Sequence, residues 1–319
     1  MLARNRLLVL RRADDSATYR APVGSMTTVL PRSYLYVPGD ASDKLGRALE
    51  RGADALIIDL EDGVAPSSRP AARRAVAAWL AGLPPASNGR TEVWVRVPSG
   101  PSGDEDVEAI VTPALTGICV AKAGRRDLDV LKAKLTRFEV DRGLGIGVIA
   151  LLPLVETAGA LAEVGALARS ARVARLQLGE IDLAADLGLT PSDDEHELLW
   201  ARSAAVVASA AAHIGPPVGA VSADFRDLEH FAATTERQRR LGFYGRACVH
   251  PAQVAIANRI FMPSEDEVAR AQALLDAFDA AVRREAGVAI TPDGKMVDEA
   301  VVRAARTVLV RARQNELRR

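Results

Sequence analysis

The feature that most restricts this chain is an alternation that begins at residue 33. Short β-branched or apolar runs take turns with longer Ala-, Leu- and Arg-rich stretches of helical period, the pattern of parallel βα units. Eight runs read as strands: 33–37, 55–59, 92–96, 117–121, 147–152, 175–178, 217–221 and 245–249. Helices are expected over 68–80, 127–138, 157–169 and 198–214, several of them opened by a Ser, Thr or Asp able to cap the first turn. Eight is the number that closes a TIM (β/α)8 barrel, so the expected class is α/β with that barrel and a C-terminal helical extension. An open doubly wound sheet uses the same alternation. Its dinucleotide loop is missing, however, because the Gly-rich candidate at Gly143, Gly145 and Gly147 precedes a strand instead of following one.

A chain of 319 residues suits one large core with an added tail. The expected division is a disordered leader over 1–30, a catalytic barrel over 31–262, and an extension over 263–319 that packs on a neighbouring subunit. Arginines surround Leu7 to Leu10 in the leader, but Asp14 and Asp15 and the missing small-residue cleavage site speak against a targeting signal; Met26 is a candidate start of translation. The 41 basic residues equal the 41 acidic ones, which argues against broad capture of nucleic acid or an anionic membrane. The longest strongly apolar run, 144–155, is shorter than the roughly 20 residues that span a bilayer. The two cysteines, Cys119 and Cys248, sit inside apolar runs, so a disulfide framework is not expected and a reducing cytoplasm is.

In such a barrel the site lies where strands end, so polar residues closing apolar runs are the candidates. They are Asp59, Glu61 and Asp62 after the second run, Arg96 after the third, Lys122 after the fourth, Glu156 after the fifth, and Glu180 and Asp182 after the sixth. Glu156 and Asp182 suit a hard divalent ion that keeps open positions for water and substrate oxygens, with Mg2+ the simplest choice. The four histidines, His196, His213, His230 and His250, lack the spacing of a zinc site. Arg96 is a permanent fork donor for a carboxylate or an enolate oxygen. Each residue also has a plainer reading. Glu156 or Asp182 could cap a helix or pair with a cation, the acidic turn at 59–62 could cap the next helix, and Arg96 and Lys122 could merely neutralise it. His250 is expected to order its loop by hydrogen bonding, and Trp79, Trp94 and Trp200 to pack.

Arg32–Gly39 (RSYLYVPG) followed by Ala53–Val64 (ADALIIDLEDGV) resembles the opening of the HpcH/HpaI aldolase and citrate lyase beta-subunit family. Val95–Val97, Leu154–Thr157, Gly179–Leu183, Gly245–Gln253 and Asp293–Asp298 follow in the family's order over nearly the whole chain after residue 30. The resemblance implies a TIM-type barrel, Mg2+ held by Glu156 and Asp182, and Arg96 on the substrate, with Glu61 carried as a further catalytic candidate. It also implies that Asp298 of the tail handles a proton at the thioester carbon across a subunit boundary, in a ring that is a homotrimer or hexamer. Asp298 otherwise reads as the cap of the last helix. The implied reaction is retro-Claisen cleavage of an acyl-CoA or acyl-carrier thioester, with Lys122 only an ancillary charge. Departures are few: Arg69 and Arg246 replace frequent lysines, and Glu299-Ala300 replaces a Pro-containing pair. Three alternatives accompany the lyase: a malyl- or citramalyl-CoA thioesterase on the same site, an aldolase acting on free hydroxy-keto acids, and a subunit of a citrate lyase complex.

Overall fold

The computed structural model describes residues 29–87, 89–222, 224–283, 289–290 and 296–316. The expected leader, with its candidate start at Met26, lies outside the described residues up to residue 28. Seven parallel strands form one sheet in the order β6-β5-β4-β3-β2-β1-β7. They are β1 (Ser33–Pro38), β2 (Ala55–Asp59), β3 (Glu92–Pro98), β4 (Gly117–Ala121), β5 (Ala150–Val155), β6 (Gln177–Leu178) and β7 (Arg246–Cys248). Backbone bridges from Val218 to Gln177 and from Gly219 to Arg246 join β6 to β7, so the sheet returns on itself as a barrel.

The strand expected over 217–221 is reduced to that pair of bridges. Pro216 and Pro217 bring no backbone donor. Gly219 must stay bare, because a Cβ there would stand 1.9 Å from Gln238 Oε1. The fifth strand begins at Ala150 instead of 147, since Gly143 and Gly147 take positive φ angles and Glu139 accepts the amides of Gly147 and Ile149 in a turn.

Twelve helices are described: α1 (Ser42–Arg47), α2 (Arg69–Ala81), α3 (Asp104–Ile110), α4 (Arg125–Asp141), α5 (Ala158–Ala162), α6 (Val164–Ala168), α7 (Glu180–Leu187), α8 (Leu199–Ala211), α9 (Leu228–Leu241), α10 (Pro251–Ile260), α11 (Glu265–Arg283) and α12 (Glu299–Glu316). The helix expected over 157–169 is two short ones that break at Glu163. Strand alternation sorts the core in two. Ile57, Trp94, Cys119, Leu152 and Val218 fill the barrel, while Leu56, Ile58, Val95, Ile118 and Leu151 pack outward with Val76, Leu135, Leu167 and Ala205 of the helices. Both cysteines are free and buried. Trp94 and Trp79 pack as expected; Trp200 does not, being 68% exposed on α8. His250 orders its loop, accepting the Ala252 amide at 3.2 Å as the cap of α10.

Beyond the barrel, α11 and α12 enclose Val297 and Val302 against Leu274, Leu275 and Phe278. A short antiparallel pair, β8 (Ala289–Ile290) with β9 (Met296–Val297), precedes α12. Arg311 of α12 stands 4.5 Å from the Tyr244 ring centroid, beside the start of β7. No described helix is long and apolar enough to cross a membrane.

Candidate active site

The strand ends converge on a cavity of about 290 Å³ lined by Tyr36, Asp59, Arg96, Glu156, Gln177 and Asp182, among others. Period-two alternation explains the set. Asp59 lies two residues after Ile57 and Arg96 two after Trp94, so each continues the inward row one layer above the apolar filling.

Asp59 is not a helix cap but the hub of the turn after β2. Its carboxylate accepts the amides of Glu61 (3.0 Å) and Gly63 (2.8 Å). It also holds the Arg96 fork, with Nε to Oδ1 at 2.7 Å and Nη2 to Oδ2 at 2.6 Å. Gly63 is required because a Cβ would meet Asp59 Oδ2 at 2.3 Å. The fork that the sequence offered to a substrate is therefore largely engaged, and Nη1, 3.3 Å from Glu61 Oε2, is the edge left. Arg96 also stands 5.3 Å from the Tyr36 ring centroid. Burial works against its charge but Asp59 outweighs it, so the guanidinium stays protonated. Lys122 reaches Glu61 Oε1 at 3.2 Å and is likewise held charged, burial notwithstanding.

Glu156 follows β5 and is 2% exposed. Its Oε1 accepts the Lys122 backbone amide at 2.7 Å. Burial pushes its carboxyl up to about 7; the Lys122 amide opposes the shift and the nearby Asp182 charge adds to it. Gly179 packs so close that a Cβ would lie 2.5 Å from Glu156 Oε2. Glu180 and Asp182 both fall in the first turn of α7 and both line the cavity, Glu180 buried and Asp182 half-buried. The sequence placed Glu180 at the mouth with it. It lines the cavity as expected, and its carboxylate is held by Arg202 at 2.7 and 2.6 Å, which leaves Asp182 as the ligand candidate of the two.

Asp298 is not brought to this cavity within one chain. It is exposed and caps α12, accepting the Val301 amide at 2.9 Å. Tyr36 and Gln177, joined by a 3.0 Å hydrogen bond from Gln177 Nε2 to Tyr36 Oη, line the cavity and were missed; their inward strand register was the available signal. Burial raises the Tyr36 phenol well above its usual value, so it is a neutral wall.

The donor set fits a divalent cation. Arg96 and Lys122 pair with Asp59, Glu61 and Asp62 among the described residues, while the buried Glu156 carboxyl, pushed up by burial and further by the nearby Asp182 charge, is one that a bound cation would help to ionise. Among the described residues no group of three or more His, Cys, Asp or Glu comes together to hold a metal. A pair such as Glu156 and Asp182 suits Mg2+, which keeps most positions for water and substrate oxygens.

The HpcH/HpaI aldolase/citrate lyase family matches residues 32–251. The (3S)-malyl-CoA thioesterase of Cereibacter sphaeroides is 33% identical over 284 residues, covering 88% of this chain and 94% of that protein. The L-malyl-CoA/beta-methylmalyl-CoA lyase of Rhodobacter capsulatus is 30% identical over 311 residues, covering 89% and 95%. The crystal structure of CitE from Mycobacterium tuberculosis, in complex with magnesium, acetoacetate and coenzyme A, aligns with a TM-score of 0.69 at 28% identity, covering 88% and 97%.

Proposed function

The chain belongs to the HpcH/HpaI aldolase/citrate lyase family, and we propose that it is a Mg2+-dependent carbon–carbon lyase acting on a 3-hydroxyacyl-CoA such as malyl-CoA, citramalyl-CoA or citryl-CoA. The observation that carries this reading is the buried Glu156, placed against the first turn of α7 that bears Asp182, in one cavity with Arg96.

Glu156 and Asp182 would hold the Mg2+, which would supply Lewis-acid polarisation of the acid fragment's oxygens. Arg96, fixed by Asp59, presents Nη1 to the charge that develops on the thioester oxygen as the carbon–carbon bond breaks. Glu61 acts through the Arg96 and Lys122 side chains it holds. The hydroxyl gives its proton to solvent and becomes the carbonyl of the 2-oxo acid, the electron pair of the broken bond goes to the alpha carbon of the thioester as an enolate, and a protonated Asp298 of a neighbouring subunit delivers its proton to that carbon. In the condensation direction Asp298 is the base. The extension over 263–319 then serves a homo-oligomer, a trimer or hexamer, in the cytoplasm.

Resemblance to a thioesterase supports a second reading, in which water attacks the thioester and the hydroxy acid leaves whole. The test is product analysis with Mg2+ on the three CoA esters, with Glu156→Ala and Asp298→Ala alongside. A 2-oxo acid plus a shorter acyl-CoA, lost in Glu156→Ala, supports the lyase. Free hydroxy acid and CoA select the thioesterase, and no turnover of any ester sinks both, leaving the acyl-carrier subunit.

A further inference from the structure

Behind the α7 turn lies a buried charge cluster that the reaction does not use. Arg202 of α8, 3% exposed, grips Glu180 by both arms of its guanidinium, Nε to Oε1 at 2.7 Å and Nη2 to Oε2 at 2.6 Å. Its Nη2 also reaches Glu195 Oε2 at 2.8 Å. Glu195 holds a left-handed backbone, φ 57°, a conformation costly for a residue with a side chain unless its surroundings impose it. Arg237 adds a second cation to Glu195 Oε2, at 3.5 Å.

Glu180 and Asp182 are two apart in a helix, about 200° around its axis at 3.6 residues per turn, so they leave the turn on opposite sides. Rotation of that turn therefore couples them: whatever fixes Glu180 on one side sets the direction of Asp182 on the other. In front, Gly179 is pressed against Glu156. The turn is thus pinned on both sides, with the directional, water-excluded fork of Arg202 at its back. A buried ion pair adds little net stability over apolar packing, but it fixes geometry.

We propose that Arg202 is a positioning residue of the metal site: its fork on Glu180, braced by Glu195, sets the rotation of the α7 turn and so directs Asp182 toward Glu156. This rests on Glu156 and Asp182 being the Mg2+ ligands. Partners behind a ligand typically change metal affinity by about 10- to 100-fold.

The test is Mg2+ binding by calorimetry, and Mn2+ binding by electron paramagnetic resonance, on the full chain without substrate. Arg202→Lys keeps the charge and loses the fork; Glu180→Gln keeps the shape and loses one charge. The expected result is a Kd raised about tenfold or more in each, in variants whose melts in EDTA, though lowered by the loss of a buried contact, show them folded at the assay temperature, and a raised KM for Mg2+ at little-changed kcat under saturating metal. Arg137→Met, on the outer face of α4, leaves all of these unchanged. Should Arg202→Lys fail to fold, Glu180→Gln decides alone. Wild-type Mg2+ affinity in the folded variants overturns the proposal and leaves the lyase reading standing. Wild-type affinity in Glu156→Ala removes the metal site itself, and both fall.

Discussion

The backbone amide of Lys122 donates to Glu156 Oε1 at 2.7 Å, and Lys122 reaches that position with a left-handed φ of 49°. A lysine there makes two unrelated contributions: a backbone donor to a candidate metal ligand, and an ammonium to Glu61. Substitution separates them. Lys122→Gly keeps the amide and removes the backbone strain, whereas Lys122→Ala keeps the strain; both lose the ammonium. The Gly variant is expected to be more stable than the Ala variant by about 1 kcal/mol in urea denaturation. Equal stabilities would mean that the left-handed backbone carries no strain.

The raised Glu156 carboxyl ties stability and metal binding to pH. Its folded value of about 7 lies above its ordinary 4.5, so the folded protein binds the proton more tightly. Without metal, the resulting stability is fully present below about pH 4.5 and is lost as pH rises to 7, by about 3 kcal/mol over the window. Denaturation in EDTA at pH 4.5 and 7.5 should register this loss in wild type and not in Glu156→Gln. Mg2+ must displace the same proton, so its affinity should rise about tenfold per pH unit up to 7 and level off above. A pH-independent Kd below 7 would mean that Glu156 is already ionised.

Gly179 is a third point of leverage, because a single methyl there must displace Glu156 or the α7 turn. Gly179→Ala should keep the barrel's circular dichroism and lose at least about 100-fold in turnover, in line with misplaced reacting groups. Activity within a few-fold of wild type would show that the turn has room to yield.

The barrel was legible because alternation in parallel strands is a local signal: Ala55–Asp59 and Gly117–Ala121 have the bounds the sequence implied. It failed at 217–221, where prolines remove backbone donors and Gly219 answers to a tertiary contact with Gln238 that no local pattern carries. The site was legible in composition and less so in direction. Glu180 and Asp182 read together as mouth residues and both line the cavity, but the helical turn that carries them and the partner that holds Glu180 were not legible. Nothing in a lysine residue signals a left-handed backbone, so the Lys122 amide was invisible, as was the role of Arg202, which depends on a chain segment 22 residues away; the pairing of Arg96 with the acidic turn was legible as the plainer reading of those residues, though not that Asp59 takes the fork.

Asp298 carries two readings that one substitution divides. Within the chain it caps α12 through the Val301 amide, and Asn caps a helix about as well as Asp. Asp298→Asn should therefore unfold within about 0.5 kcal/mol of wild type, while Asp298→Ala loses about 1 kcal/mol with the cap. If Asp298 also moves the proton at the acyl carbon, Asn cannot replace it. Turnover should then fall by about 10² to 10⁴ in both variants, and exchange of the acyl-CoA methyl protons with deuterated water should stop. Full exchange and turnover in Asp298→Asn would leave the residue a cap and nothing more, and another base would have to be sought. Loss in Asn with stability intact would place the tail in the chemistry, and mixing Asp298→Asn with Glu156→Ala subunits should then restore activity wherever a neighbour supplies the missing group.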